Sequence, residues 1–243
     1  MLKLEGITWT LPGGEEIVRG VDLEIGDGKL VVITGPNGGG KTSLAKLIAG
    51  VEDVTSGSIW LDGEEITSMD VTQRARKGVA YAFQQPVKFK GLTVRDLLEL
   101  AAGKSLTEEE LCDLLAKVGL CAREYVDREL SGSLSGGESK RIEIATVLAR
   151  EAKLSIFDEP EAGIDLWSFS RLVETFETLR RARKGTLLII SHQERILSIA
   201  DEIVAIDRGV VKIHGPRFTV LPTLLSDEHA CSCPQGKGGF CYE

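Results

Sequence analysis

A glycine-rich loop that ends in lysine and threonine carries the clearest chemistry in this sequence. Residues 35–42 read Gly-Pro-Asn-Gly-Gly-Gly-Lys-Thr and fit the pattern G-x-x-x-x-G-K-[ST]. In such a loop, backbone N–H groups converge on phosphate oxygens, and the dipole of the following helix favours the negative charge. We expect Lys41 to reach the β- and γ-phosphates of a nucleotide and the Thr42 hydroxyl to bind Mg²⁺. The loop therefore predicts a nucleoside triphosphate site.

The residues on either side of the loop form the elements that would hold it in place. An apolar run at residues 30–34 precedes the loop and is typical of a buried strand, whereas residues 43–49 follow a helical pattern. Further along the chain, short apolar strands alternate with helices, which predicts an α/β fold with a mainly parallel sheet. Alternating residues around Gly13 and Gly14 predict an antiparallel β subdomain at the start.

A second glycine-rich motif, at residues 134–141, reads Leu-Ser-Gly-Gly-Glu-Ser-Lys-Arg. A serine before a helix can cap that helix and bind an oxyanion, and adjacent glycines let the backbone approach a ligand closely. Alone, the motif would also fit an ordinary glycine-rich helix start without a ligand. Combined with the phosphate loop, it resembles the LSGGQ signature of the ABC (ATP-binding cassette) ATPases, with Glu138 where glutamine is usual.

The resemblance to ABC ATPases covers roughly residues 1–215 and implies a P-loop ABC cassette fold. A helical pattern at about residues 86–150 interrupts the alternation of strands and helices, so we predict an inserted helical subdomain there. Residues 216–243 are predicted to form a C-terminal extension with a cysteine-rich tail. Residues 154–159 resemble the Walker B strand of the family, which ends in an Asp-Glu pair.

Each remaining family motif has a matching residue in this chain. Gln84 stands in place of the Q-loop glutamine, which senses Mg²⁺ and links to the helical subdomain, and Gln85 is the second candidate for this position. Asp165 lies in a D-loop-like stretch. The resemblance implies catalytic roles for Lys41, Glu159 and His192, the last as the switch histidine, and Mg²⁺ ligands from Thr42, Gln84 and Asp158. It implies ATP contacts from Gly35, Pro36, Asn37, Gly38, Gly39, Gly40, Lys41, Thr42, Ser43, Gln84, Ser135, Gly136, Gly137, Glu138 and Asp165.

One position departs from the family pattern. ABC ATPases often place an aromatic residue after the first strand, where it stacks on adenine. This chain has Leu11 and Pro12 near that position, and Trp9 is the nearby aromatic. Either Trp9 substitutes or the base is held weakly, so the preference for ATP over GTP stays open.

The resemblance also implies that one chain cannot complete a site alone. In this family, Ser135 and Gly137 of one subunit would bind the γ-phosphate that Lys41 of another subunit holds. We therefore expect an ATP-dependent, head-to-tail homodimer that sandwiches two ATP molecules. Phosphoryl transfer depends mostly on positioning and electrostatic stabilisation, so closing the dimer would assemble the catalytic groups.

Three stretches outside the shared core resemble SufC, the ATPase of the Suf iron–sulfur cluster assembly system. Residues 82–87 look like its A-F-Q-x-P-V, residues 135–144 like its S-G-G-E-K-K-R-N-E-I, and residues 192–197 like its H-x-x-R-I-L. Residues 158–160, Asp-Glu-Pro, have the ordinary transporter form and differ from the D-E-T of SufC. We expect a SufC-like ATPase with a SufB/SufD-like scaffold as its partner. The alternative is the nucleotide-binding subunit of a membrane ABC transporter, which acts on a permease.

The composition agrees with a cytoplasmic ATPase that works on another protein. The 243 residues carry a formal net charge of −8, which argues against binding a polyanion over a broad face, so nucleic acid is not expected. The longest apolar runs are strand-length and far too short for a membrane span. The first residues do not resemble a signal peptide. A transporter subunit would lie at the membrane periphery.

The five cysteines fall into two groups. Three of them lie in the glycine-rich tail, namely Cys231, Cys233 and Cys241. In a cytosolic protein, such a cluster favours metal binding or redox activity over a disulfide framework. Zinc or an iron–sulfur cluster would suit it, with a fourth ligand from His229 or a partner. A flexible, reduced tail without a ligand is the alternative. Cys112 and Cys121 are predicted to be buried packing residues.

Overall fold

The chain folds into two β-sheets with associated helices, and a computed structural model describes residues 1–85, 89–130, 134–183 and 185–227. The strands are β1 (Leu2–Thr10), β2 (Glu16–Ile25), β3 (Leu30–Thr34), β4 (Ser56–Leu61), β5 (Glu64–Glu65), β6 (Val79–Ala82), β7 (Leu154–Asp158), β8 (Thr186–Ile190), β9 (Glu202–Asp207) and β10 (Val210–Pro216). The helices are α1 (Lys41–Ala49), α2 (Val71–Lys77), α3 (Val94–Ala102), α4 (Glu108–Lys117), α5 (Ala122–Tyr125), α6 (Gly136–Ala149), α7 (Leu166–Ala182), α8 (Glu194–Ile199) and α9 (Arg217–Asp227).

The larger sheet is mainly parallel, which confirms the predicted fold class. Its strand order is β10-β9-β3-β8-β7-β6, and β10 runs antiparallel to β9 at one edge. The neighbours from β9 to β6 all pair in parallel. Strands β3, β7 and β8 are buried along their whole length, which explains why their sequences are mainly apolar. Residues that follow parallel strands meet at one edge of the sheet.

The smaller sheet is antiparallel and has the order β2-β1-β4-β5. The turn predicted at Gly13 and Gly14 connects β1 to β2, and Gly14 has a left-handed φ of 86°. Between β4 and β5, Asp62 and Gly63 have φ values of 53° and 79°. Two consecutive left-handed residues are what a type I′ hairpin turn requires, so β4 and β5 form a hairpin with this turn.

The larger sheet separates two hydrophobic cores. Successive side chains of a strand point to opposite faces, and β3 shows this directly. Val31 and Ile33 pack with α1 and the antiparallel sheet, whereas Leu30 and Val32 pack with α3, α4, α6, α7 and α8. The parallel sheet is therefore covered on both faces, and this covering holds its carboxyl edge in a fixed position.

Helices α3 to α6 lie between β6 and β7, in the stretch predicted as a helical subdomain. Within this stretch, α3 and α4 are separate helices, because Gly103 ends α3 with a left-handed φ of 67°. Thr93 and Thr107 each begin a helix with a reciprocal capping box. The division of the chain into subdomains stays a prediction.

The sequence patterns missed α2, β10 and α9. Helix α9 contains Pro222, which usually argues against a helix interior. This helix nevertheless packs against β9, β10 and α8, and Val220 is buried there. The domain boundary placed after residue 215 stays a prediction. The predicted metal ligands in the tail lie outside the described residues, namely His229, Cys231, Cys233 and Cys241.

The prediction that Cys112 and Cys121 are buried packing residues is wrong, because both are exposed. Cys112 lies on α4 directly after the buried Leu111, and consecutive helical residues point about 100° apart. Cys121 lies at the start of α5 and makes no side-chain capping bond. The apolar residues beside each cysteine, rather than the cysteines themselves, form the packed face.

The buried arginine Arg74 connects α1, the helix that follows the phosphate loop, to the segment before α2. The guanidinium of Arg74 donates to four carbonyls, those of Leu47, Ile48, Thr67 and Met69. Leu47 and Ile48 lie in the last turn of α1, where carbonyls have few partners within the helix, and the Leu47 carbonyl also accepts from the Gly50 N–H. Arg74 itself is 1% exposed. It therefore joins the end of α1 to the segment that leads into α2.

We predict that Arg74→Met lowers the free energy of unfolding by about 2–4 kcal/mol, because it leaves buried carbonyls without donors. Arg76→Met is the matched control, since Arg76 is an exposed arginine on the same helix. That change is expected to stay within about 0.5 kcal/mol. Urea denaturation followed by circular dichroism measures both variants. Equal effects of the two substitutions would show that the hydrogen bonds of Arg74 do not stabilise the fold.

Candidate nucleotide-binding site

The glycine-rich loop joins β3 to α1, as predicted. Gly35, Gly38 and Gly40 have left-handed φ values of 130°, 76° and 97°, which other residues rarely adopt. A Cβ atom on Gly35 would lie 1.9 Å from the carbonyl oxygen of Ile206 in β9. This glycine is therefore required by the packing of the loop against the sheet. The first N–H groups of α1 point out of the helix end, where the dipole favours an anion.

Lys41 lies inside this loop. Its Nζ donates to the carbonyl oxygens of Gly35 at 2.8 Å and Pro36 at 2.9 Å. Burial lowers the pKa of Lys41, while the nearby carboxylates of Glu159 and Asp158 oppose that shift. The ammonium group is thus held at the position where phosphates would meet the loop.

Thr42 and Asp158 meet at the carboxyl edge of the sheet. Thr42 Oγ1 donates to Asp158 Oδ1 at 3.0 Å, and the Tyr81 hydroxyl donates to Asp158 Oδ2 at 2.9 Å. Burial raises the pKa of Asp158, and these two hydrogen bonds partly oppose the shift. Carboxylate and hydroxyl oxygens are ligands that suit Mg²⁺. The pair therefore fits the predicted metal, and Tyr81 is a partner that the sequence did not reveal.

Gln84 and Glu159, both predicted site residues, contact each other. Gln84 Nε2 donates to Glu159 Oε2 at 2.7 Å. Glu159 follows β7 directly and has a left-handed φ of 46°, which is uncommon for a residue other than glycine. Its backbone N–H donates to the carbonyl of Ile190 at 3.1 Å, at the end of β8. The tight turn after β7 therefore directs Glu159 towards Gln84.

A cavity of about 570 Å³ lies above the loop. It is lined by Trp9, Leu11, Ile17, Asn37, Gly38, Gly39, Gly40, Lys41, Thr42, Ser43, Gln84 and Glu159. The predicted loop residues and the Gln84–Glu159 pair thus share one space. Trp9 lines the same cavity, so the chain offers an aromatic surface for a nucleobase at the position that sequence analysis left open.

His192 follows β8, beside the same sheet edge. Its side chain is exposed, and desolvation together with the positive charge of Lys41 lowers the pKa of the imidazole, while the carboxylate of Glu159 opposes that shift. The preceding residue, Ser191, is buried and donates to Glu161 Oε1 at 2.6 Å. Burial raises the pKa of Glu161. Ser191 and Glu161 were missed by sequence analysis, and they fix the segment that carries His192.

The signature motif begins α6 and has a structural role there. Ser135 Oγ accepts from the backbone N–H of Glu138 at 3.3 Å, and Glu138 Oε2 accepts from the Ser135 N–H at 2.6 Å. This is a reciprocal capping box. The Tyr125 hydroxyl donates to Glu138 Oε1 at 2.5 Å. None of these residues lines the loop cavity, so their predicted contact with ATP stays a prediction.

The D-loop lies against the signature motif. Asp165 Oδ1 caps α7 by accepting from the N–H groups of Trp167 and Ser168 at 3.1 and 3.0 Å. A Cβ atom on Gly137 would come within 2.8 Å of the Gly163 carbonyl oxygen. The two motifs therefore form one surface, which is separate from the phosphate loop of the same chain.

A buried lysine behind the site was not assigned a role by the sequence. Lys140 is 1% exposed, and burial lowers its pKa. Its Nζ donates to the carbonyl oxygens of Phe83, of Gln84 at 3.1 Å and of Asp158 at 3.4 Å. A lysine on a predicted helix is usually solvated, so only the packed structure reveals that this one connects Gln84 to the end of β7.

Glu143 lies one turn further along α6. Its Oε1 accepts from the Phe83 N–H at 2.9 Å, whereas Oε2 is buried without a hydrogen bond and lies 3.8 Å from Lys140 Nζ. Burial raises the pKa of Glu143 to about 7, although Lys140 opposes this shift. Within the residues that the structure describes, no group of three or more histidine, cysteine, aspartate and glutamate side chains is arranged to hold a metal ion.

The fold and the site together define a P-loop ATPase of the ATP-binding cassette type. A family model described as ABC transporter matches residues 18–162. The chain belongs to this family and is an ABC-type ATPase.

Several transporter proteins are similar in sequence. An uncharacterized ABC transporter ATP-binding protein from Methanocaldococcus jannaschii is 37% identical over 227 residues, which cover 89% of this chain and 90% of that protein. The glycine betaine/carnitine/choline transport ATP-binding protein OpuCA from Bacillus subtilis is 32% identical over 89% of this chain. The match spans 58% of the length of OpuCA.

Solved structures show the same fold. An ATP-binding cassette in a dimeric post-hydrolysis state, bound to ADP and Pi, has a TM-score of 0.80 at 23% identity. The match covers 89% of this chain and 99% of that chain. The structure of cbiO1 from Clostridium perfringens, a part of the ABC transporter complex cbiONQ, has a TM-score of 0.75 at 26% identity. The match covers 93% of this chain and 92% of that chain.

These relatives are transporter ATP-binding proteins rather than SufC proteins, so they favour the transporter alternative over the SufC-like interpretation. Among the described residues, no helix has both the length and the apolar character needed to cross a membrane.

We predict that Glu143→Gln is more stable than the wild type by about 1–2 kcal/mol at pH 8 and about equally stable at pH 5. The folded-state pKa of Glu143 is about 7, above its ordinary value of 4.5. The cost of its ionisation is therefore fully present above pH 7 and disappears as the pH falls through 7 towards 4.5. Urea unfolding at both pH values measures the difference. A difference that is independent of pH would contradict this titration.

Proposed function

We propose that this chain is the nucleotide-binding subunit of a membrane ABC transporter, which dimerises on binding ATP and drives a permease partner. The observation that carries the proposal is the shared cavity, where the phosphate loop, Gln84 and Glu159 lie together beside an apolar groove. The relatives described above support it, because they are ATP-binding proteins of transporters.

The polar residues at the carboxyl edge of the sheet have separate roles in this proposal. Lys41 and the loop N–H groups bind the β- and γ-phosphates, and Thr42 and Asp158 hold Mg²⁺ with Gln84 beside them. Mg²⁺, when bound, neutralises charge on the phosphates. Glu159 polarises the attacking water, and His192 contacts the γ-phosphate. These groups act mainly by positioning, which suits side chains fixed at the ends of buried strands.

A second copy of the chain completes the proposed site. Ser135 and Gly137 bind the γ-phosphate held by the partner copy, with Asp165 beside them. The separation of the signature surface from the loop cavity supports this arrangement, since neither Ser135 nor Gly137 lines the cavity. Their helix start still has the N–H groups and dipole that favour an anion.

We predict that Glu159→Gln binds ATP and accumulates as a dimer, with turnover at least about 100-fold lower than in the wild type. The reason is that ATP binding closes the dimer while the water is no longer polarised. Light scattering with ATP and Mg²⁺ measures the dimer, and phosphate release measures turnover. Adding Ser135→Arg to this variant should restore the monomer. A Glu159→Gln protein that stays monomeric with ATP would contradict the dimer scheme.

The apolar groove, named here the Q-groove, gives the partner a place to act. It has a volume of about 420 Å³ and lies between the end of β6 and helices α3 and α6. It is lined by Tyr81, Phe83, Gln85, Phe89, Leu97, Leu130, Leu134, Gly136, Ser139, Ile142, Glu143 and Thr146. Phe83 precedes Gln84, which contacts Glu159. A partner segment seated in the Q-groove would therefore act directly on the residues next to the nucleotide site.

The SufC-like interpretation stays as a second candidate because of three hydrogen bonds between two of the resembling stretches. Residues of the second SufC-like stretch, Lys140 and Glu143, bind the backbone of Phe83 and Gln84 in the first. Two of the three resembling stretches thus form one hydrogen-bonded unit, although residues 86 and 87 lie outside the described part. In this candidate, the partner is a SufB/SufD-like scaffold, and the tail cysteines bind zinc or an iron–sulfur cluster.

We predict that the tagged protein, purified anaerobically from its native cells, is recovered with a polytopic membrane protein in the membrane fraction. Mass spectrometry identifies the partner, and elemental analysis measures iron, sulfide and zinc in the same sample. The physical reason is that the cassette must act on a membrane-embedded subunit. Recovery with a soluble scaffold, iron and sulfide instead would overturn the transporter proposal in favour of the second candidate.

A further inference from the structure

Both carboxylate oxygens of Asp158 are held by hydroxyl groups. Thr42 Oγ1 donates to Oδ1 at 3.0 Å, and the Tyr81 hydroxyl donates to Oδ2 at 2.9 Å. A carboxylate oxygen has two lone pairs, and each hydroxyl takes one of them. Asp158 is 1% exposed, so bulk water has little access to either oxygen. The two oxygens are therefore tied to different elements, Oδ1 to α1 and Oδ2 to β6.

The two hydroxyls border different cavities. Among the described residues, those that line the nucleotide cavity include Thr42 but not Tyr81. Tyr81 instead lines the Q-groove, together with Phe83. Oδ1 of Asp158 is therefore bonded to a residue of the nucleotide cavity, whereas Oδ2 is bonded to a residue outside it. A cation held by Thr42 would meet Oδ1 first.

The position of the Tyr81 hydroxyl is fixed by the sheet. Tyr81 pairs with Ile156 in the parallel register of β6 and β7, two residues before Asp158. Its ring lies edge-on to that of Phe83, with 4.7 Å between the ring centroids and 89° between the planes. Burial and the negative charge of Asp158 raise the pKa of Tyr81, so the hydroxyl keeps its proton and stays a donor. Oδ2 is thus held by a rigid partner.

Calcium and magnesium differ in how they use a carboxylate. Ca²⁺ takes about six to eight oxygen ligands and often binds both oxygens of one carboxylate. Mg²⁺ requires a smaller, nearly octahedral shell, keeps several waters and takes few carboxylate oxygens. A carboxylate that offers one oxygen therefore suits Mg²⁺ better than Ca²⁺, because Ca²⁺ loses a ligand that Mg²⁺ does not need.

We propose that Tyr81 is a cation-selectivity residue, whose hydroxyl holds Asp158 Oδ2 away from the metal and thereby favours Mg²⁺ over Ca²⁺ at the nucleotide site. This inference rests on the Mg²⁺ site of the proposed function. Tyr81 acts through Asp158 rather than on the nucleotide, so it is a positioning residue.

Loss of the hydroxyl has a different effect if Tyr81 only stabilises the buried carboxylate. Removing a hydrogen bond from a buried carboxylate then lowers stability, and the affinities for both ions fall alike. If Tyr81 selects the ion, its loss frees Oδ2 to turn towards the cation, and Ca²⁺ gains a ligand. The ratio of the two affinities therefore separates the two roles.

The experiment measures this ratio with Mn²⁺ as the reporting ion. The full-length protein is held in excess over ADP and Mn²⁺, and Mg²⁺ or Ca²⁺ is added until free Mn²⁺ appears in the electron paramagnetic resonance spectrum. ADP suffices because Thr42 and Asp158 belong to one chain. We expect the ratio of Ca²⁺ to Mg²⁺ needed for displacement to fall about threefold or more in Tyr81→Phe. An unchanged ratio would overturn the proposal.

Tyr125→Phe is the matched control. It also removes a tyrosine hydroxyl that donates to a carboxylate, but that carboxylate belongs to Glu138 in the signature motif. Its ratio is expected to equal that of the wild type, and an equal fall in both variants would contradict a specific role of Tyr81. Tyr81→Met, a second variant without the hydroxyl, should lower the ratio as Tyr81→Phe does. A misfolded fraction that binds neither ion does not alter a ratio measured on one sample.

Asp158→Asn separates a failure of this proposal from a failure of the metal site. This variant is expected to lose most of the Mn²⁺ binding of the wild type. If the wild type with ADP binds no Mn²⁺, or if Asp158→Asn binds it equally well, the metal site of the proposed function is wrong and the selectivity role fails with it. If that site holds and Tyr81→Phe keeps the ratio of the wild type, the role of Tyr81 alone is wrong.

Discussion

The parallel register of four strands is the constraint on which the site depends. Ile33 of β3 pairs with Ile190 of β8, and Ile190 pairs with Asp158 of β7. Phe157 of β7 pairs with Ala82 of β6. Because the strands end at the same level, the residues that follow them emerge at one edge, where the phosphate loop, Glu159, His192 and Gln84 lie. A shift of one residue in any pair would turn that strand's buried side chains to the opposite face.

Holding polar groups at this edge requires partners inside the protein. Lys140 supplies donors to three carbonyls, that of Asp158 at the end of β7 and those of Phe83 and Gln84 just beyond β6. Glu161 accepts from Ser191, and Asp158 accepts from Thr42 and Tyr81. Because unsatisfied buried groups are costly, these bonds restrict the segments after β6, β7 and β8 to a few positions. Rigid placement of this kind suits a reaction catalysed mainly by positioning.

The parts of the site that could be predicted are those encoded by local backbone chemistry. The phosphate loop and the cap at Ser135 depend on residues a few positions apart, and the central strands on short apolar runs. By contrast, Lys140 and Glu143 contact Phe83, which is 57 and 60 residues away in sequence, so no local pattern reveals their role. Helix α2 was missed because its only buried residue is Arg74, and α9 because Pro222 interrupts the helical pattern.

The segment of Phe83 and Gln84 contacts both the nucleotide cavity and helix α6. On one side, Gln84 donates to Glu159, so a movement of this segment would change the position of a residue that lines the nucleotide cavity. From the other side, Lys140 and Glu143 bind its backbone from α6, the helix that begins with the signature motif. A movement of α6 on dimer closure, or an occupant of the Q-groove, would therefore reach Glu159 through the same few hydrogen bonds. Two separate events can in this way converge on one side chain at the catalytic edge.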